Sequence, residues 1–311
     1  MSNTQLVRES SILPYIQPKM SQLIAMVGEM QLQKEMSFAI QAVNGNSMLQ
    51  QATHESIAKC VWNVAITGLT LNPIHQFAYI TPRRMGDKTE AVLTPSYKGL
   101  VKLITDTGSV KNIYAHPVYK GDDFDISLGT ETQITHKPKF ISIKPEDVTH
   151  VYAVAILQDG SKQVEIMPIA EVNEIRERSD SYKAFKAGKV KSSIWTDFYT
   201  EMCRKTVVKR LSKYLPKTER WDAVQEAIEI DNEDYEASNQ QYSYIENLLQ
   251  TSAYDERQKS FIEREVEFGI TTGRAKKIIE DLQMNQLDPI NSGGNYSQGD
   301  IGKKIGKEIM S

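Results

Sequence analysis

Apolar residues follow two different periods along the chain. Up to about residue 68 they recur every three or four positions, as on helices, and between 75 and 168 they alternate, as on strands. In 18–43, Met20, Leu23, Ile24 and Val27, then Met36, Ala39, Ile40 and Val43, predict two short helices broken near 28–31. Asn44-Gly45-Asn46 forces a turn. Thr53 is the N-cap for a helix carrying Ile57, Val61, Val64 and Ala65 on one face, and Gly68 closes it.

Residues 75–85 and 89–97 flank Gly86-Asp87-Lys88 and predict a hairpin, with Pro82 and Pro95 marking exposed or irregular strand ends. A short helix over 96–108 stops at Gly108. Residues 110–127 and 130–140 form a second expected strand pair around Gly129. A third, 148–168, turns at Asp159-Gly160. Pro168 opens a helix, and a polar loop (179–192) holds Lys183, Lys186, Lys189 and Lys191.

The loop leads into 193–216, where Cys203, Val207, Val208, Leu211, Tyr214 and Leu215 share one helical arc and predict a single long amphipathic helix. Lys205, Lys209 and Lys213 form a cationic stripe on another arc. Arg204, Lys205, Lys209, Arg210, Lys213 and Lys217 fall within fourteen positions that contain no acid. Solvated helices normally interleave acids to relieve such repulsion, so an anion outside the chain is one expected relief and an ordinary wet face the other. Arg204 stands on the apolar arc, either snorkelling or pointing into a groove.

Charge is uneven along the chain. The formal net charge is −3, yet 176–220 holds thirteen Lys or Arg against five Asp or Glu, a net of +8. Residues 221–240 hold seven acids and no base, the composition of a flexible linker. The expected organisation is a loose N-terminus (1–16), a core (17–217), an acidic linker (218–240), a module of three short helices (241–285) and a disordered tail (286–311). The fold class is α+β: a small antiparallel sheet of hairpins packed with helices, one long and basic, followed by a small all-α module.

Cys60 and Cys203 are far apart on apolar helical faces, as buried thiols in a reducing compartment would be, and the five histidines lack zinc spacing. No apolar run approaches twenty residues, and a cytoplasmic location without membrane contact is expected.

Catalysis finds little support. No G-x-x-x-x-G-K-[ST] phosphate loop occurs, and Asp122, Asp123 and Asp125, the one dense acid cluster of the basic half, fit a turn better than a nuclease metal site. No cofactor and no metal are expected. Cations do recur beside rings: Tyr79 with Arg83-Arg84, Tyr97-Lys98-Gly99, Tyr114 with Lys111, Tyr119-Lys120. Phosphate-neutralising groups beside stacking rings suit single-stranded nucleic acid, although strand tyrosines more often pack than stack on bases.

Five ordered blocks over roughly 20–217 resemble the RecT/Redβ family of single-strand annealing proteins, bacteriophage-type recombinases. They are ITGLTLNP, FAYITP, SYKGLVKLITDTG, HVYAVAILQDG and WTDFYTEMCRKTVVKRLSKYLP. The resemblance implies ATP-independent annealing of complementary strands in recombination, by a homo-oligomeric ring or helical filament whose basic groove holds one strand. It implies contacts to that DNA, and to the annealed duplex intermediate, from Tyr97, Lys98, Gly99, Arg204, Lys205, Lys209 and Arg210, with Lys213, Arg83 and Arg84 beside them. It also implies that 241–285 docks a partner exonuclease or the host single-strand-binding protein. Two departures stand out: Pro73-Ile74-His75-Gln76-Phe77 lacks a small residue before the aromatic, and 221–311 lies outside the blocks. A passive single-strand cover that binds without annealing is the alternative.

Overall fold

The computed structural model describes residues 7–285, apart from 86–87, 130–131, 142, 233–236, 238, 268–269 and 271. The chain forms two compact units, Met1–Ile228 and Glu229–Ser311. The expected disordered tail, 286–311, lies outside the described residues.

Unit one begins with helices α1 (Glu9–Ile16), α2 (Met20–Val27), α3 (Glu29–Asn44) and α4 (His54–Thr67). The expected loose start is corrected from Glu9 onward: Ile12 and Ile16, one turn apart, are buried, and α1 packs on α4. The break between α2 and α3 falls at Gly28, whose φ of +81° lies in the region that glycine enters without a side-chain clash. At α4 the Thr53 hydroxyl accepts from Ser56 N, and Gly68 closes the helix in the left-handed conformation.

Strands β1 (Ala78–Met85) and β2 (Lys88–Pro95) form the first hairpin, and α5 (Tyr97–Asp106) follows it. The next strands are β3 (Val110–Tyr119), β4 (Asp123–Ser127), β5 (Gln133–Lys137), β6 (Val148–Leu157) and β7 (Lys162–Pro168). Among the described residues they make a three-stranded antiparallel sheet, β3-β6-β7, and a separate β4-β5 hairpin. The expected pairing of 110–127 with 130–140 is therefore half corrected: β4 joins β5, but β3 joins β6 with Ala115 opposite Ala153. Turn residues announce only neighbours in sequence. The buried run Val151–Ala155 makes β6 a central strand, which needs a partner on each side.

Alternation puts Val151, Ala153 and Ala155 on one face of that sheet and Tyr152 and Val154 on the other. Helix α9 (Tyr199–Ser212) lies along all three strands and covers the first face. On the second, Phe124 and Ile134 of the β4-β5 hairpin close over Val118, Tyr152 and Val154. Cys203, Val207, Val208 and Leu211 of α9 are all 0% exposed. Burial of each valine or leucine contributes roughly 1.5 to 3 kcal/mol.

The single long basic helix is corrected. Residues 193–216 form α8 (Ile194–Asp197), a break at Phe198 (φ −133°, ψ 45°), then the fourteen residues of α9. Ser193 and Thr196 cap α8 reciprocally, which fixes a one-turn helix of its own. Because α9 ends at Ser212, Tyr214 leaves the apolar arc and is exposed. Helices α6 (Ile169–Arg178) and α7 (Asp180–Lys186) precede α8, α7 standing where a polar loop was expected. Helix α10 (Asp222–Asp231) occupies the first half of the expected linker and buries Val224 and Ala227.

Unit two contains α11 (Asn239–Thr251), α12 (Glu256–Glu267) and α13 (Thr272–Met284). Ile245, Leu248, Leu249, Ile262, Ile278, Ile279 and Leu282 give it a core of its own.

Candidate nucleic-acid interface

Helix α9 crosses the sheet from edge to edge, which sets its two arginines in different places. From Arg204 to Arg210 the axis rises about 9 Å, close to the roughly 9.6 Å spanned by two strand spacings. Arg204 meets β3: its Nε donates to the Ala115 carbonyl at 3.3 Å, and its NH1 pairs with Glu201. Arg210 meets the opposite edge, with Nε 2.9 Å from Glu165 of β7 and NH1 on Glu171 of α6.

Several rings lie within electrostatic reach of the Arg204–Glu201 pair. Glu201 is close enough to Tyr79, Tyr97 and Tyr119 to add to burial, the larger cause, in raising each hydroxyl pKa. His116 is held below its ordinary value by burial first and by the Arg204 guanidinium second. It therefore holds a proton less readily than a free imidazole. Arg204, His116, Tyr119 and Tyr152 line a cavity of about 320 Å³ that Phe140 and Ile143 flank. The His116 ring lies 5.8 Å from those of both Tyr114 and Tyr152.

A hydrogen-bonded clip forms the cavity floor. His136 bridges Tyr152 OH at 3.2 Å and Asp122 at 3.1 Å, and Asp122 also accepts from the Tyr119 and Lys139 amides. Burial pulls the Asp122 pKa upward, but these donors outweigh it and hold the carboxyl below its usual range. Asp122 thus closes a turn, and Asp123 pairs with Lys139. Among the described residues no group of three or more His, Cys, Asp or Glu could hold a metal ion.

The sequence candidates divide. Tyr97 joins the Arg204 cluster at the first turn of α5, whose N-cap Ser96 accepts from Gly99 N. Lys98 is exposed beside it and donates to Gln76 Oε1 at 2.7 Å. Gly99 is buried, and a Cβ there would come 2.1 Å from the Phe77 carbonyl oxygen. It positions α5 rather than presenting itself to a ligand.

The stripe of lysines runs from inside to outside: Lys205 is only 5% exposed, Lys209 half-buried, and Lys213 exposed at the helix end. Lys205 as part of an outward cationic face is corrected, because one residue beyond Arg204 the helix has turned about 100° into the protein. Arg83 and Arg84 lie near the tip of the β1-β2 hairpin, about 13 to 17 Å along the strand from Tyr79. His116 and Glu201 were not among the candidates. Neither carried a signal, since a strand histidine and a helix glutamate gain meaning only from what packs beside them.

A model of the RecT family matches residues 33–242, and the chain belongs to that family. It is 29% identical over 255 residues to Protein RecT of Escherichia coli strain K12, which covers 78% of this chain and 90% of that protein. The likeness thus reaches beyond residue 217, where the motif blocks end, through an acidic region that offers no distinctive motif.

Proposed function

We propose that this protein binds single-stranded DNA and anneals complementary strands without ATP during homologous recombination. The observation that carries this reading is Arg204 at the β3 edge, lining one cavity with His116, Tyr119 and Tyr152, in a chain of the RecT family. A guanidinium neutralises phosphate, and rings stack on any base because every base has a π-face. Such a surface grips a strand without reading its sequence, and bases not held in stacks remain able to pair. Lys98 and Lys213, both exposed, and the half-buried Lys209 extend the cationic character.

Propagation along a strand needs head-to-tail contacts between copies, which supports a ring or helical filament. Unit two offers a cavity of about 820 Å³ lined by Arg257, Arg264, Lys277, Phe261 and Ile278. This mix of cations and apolar groups supports docking of a partner exonuclease or host single-strand-binding protein there.

Mixing the protein with two complementary oligonucleotides, without nucleotide, tests the reading. Duplex formation should run faster than for naked DNA. A rate equal to that of naked DNA, with tight binding of each strand, would leave a passive single-strand cover.

A further inference from the structure

The connection between β5 and β6 exposes large apolar side chains: Phe140, Ile141 and Ile143 are 77%, 75% and 67% exposed. Apolar groups this open mark a binding surface. Cations flank them, Lys137 and Lys139 on one side and Lys144 on the other. An exposed ring with lysines next to it and the Arg204 cavity beside it suits base and phosphate. Phe140 holds φ at +54°, a conformation that side chains rarely adopt, and it flanks the Arg204 cavity. The Lys139 amide is tied to Asp122, so the clip beneath the cavity also anchors this connection. Lys139 Nζ sits 2.6 Å from Asp123, but both side chains are about half exposed, and such a pair yields readily to phosphate.

We infer that Phe140 stacks on an unpaired nucleobase of the bound strand at the mouth of the Arg204 cavity, while Lys137 and Lys139 hold the adjoining phosphates. The inference rests on the single-strand reading and adds to it a base-contacting position. Arg204, His116 and Tyr119 line the cavity that the base faces.

The test compares binding of a thymine oligonucleotide with an abasic strand of equal length, at fixed salt, for the full chain and two variants. Wild type should prefer the thymine strand. Phe140→Ala should shrink that preference roughly five- to a hundredfold, the range for losing one ring–base stack, and Phe140→Trp, which keeps a ring, should restore it. Lys139→Ala should instead weaken both strands alike and lower the salt slope by about 0.7. A preference unchanged in Phe140→Ala overturns the inference. So does Phe140→Ala reducing the sedimented mass of the DNA-free protein with the preference intact, which would make the patch a contact between copies. If wild type binds no thymine strand at all, the single-strand reading itself fails.

Discussion

Gly99 shows how one missing side chain arranges a surface. With the Phe77 carbonyl 2.1 Å from where a Cβ would stand, and both atoms held by backbone, α5 can approach the hairpin only through glycine. Gly99→Ala should cost about 1 to 3 kcal/mol, as overpacking does, seen as a lower urea midpoint, and should weaken DNA binding by displacing Tyr97. Unchanged stability would show that the contact gives way freely. The thiols make a second case at this scale. Burial pushes Cys60 and Cys203 from the ordinary 9.0 up to about 12. Each favours the native state below pH 9 and loses that contribution as pH climbs from there towards 12, because only the unfolded thiol ionises earlier. A thiol reagent at pH 8 should modify neither cysteine in the folded protein and both after denaturation. Rapid labelling of native Cys203 would mean that α9 lifts from the sheet.

At the scale of the element, arginines tie α9 to both edges of the sheet, Arg204 to β3 and Arg210 to β7. Arg210 neutralises Glu165, which burial holds above the usual carboxylate range, together with Glu171. The repulsion expected along 204–217 is thus relieved in part from inside the chain, by acids that lie 39 or more positions away. Arg210→Ala should lower stability by about 1 kcal/mol, a modest loss because the arginine is partly exposed, and leave the salt slope of single-strand binding unchanged. Arg204→Ala should lower that slope by about 0.7. The reverse pattern, read from affinity against salt concentration, would move the DNA to the β7 edge.

For the whole molecule, the division at Ile228 separates two cores. The cluster running from Ala237 to Leu282 draws on unit-two residues alone. A chain ending after Asp231 should therefore unfold cooperatively and still bind single-stranded DNA, while losing any partner recruited through Arg257, Arg264 and Phe261. Loss of cooperative unfolding in that shortened chain, followed by circular dichroism, would show that the units depend on each other.

The sequence by itself determined most local structure, since caps, turns and periodicity act within a few residues. Thr53 and Gly68 bound α4, Gly28 divides α2 from α3, and Asp159-Gly160 joins β6 to β7. Family motifs could also be read, because they are contiguous. Tertiary structure alone decided that β3 pairs with β6, that Glu165 and Glu171 meet Arg210, and that Lys205 turns inward while Arg204 reaches the edge of β3. Those outcomes depend on which apolar faces bury each other across tens of residues. Periodicity tells which side of a helix is apolar, but only the partner packed there fixes which charges remain at the surface.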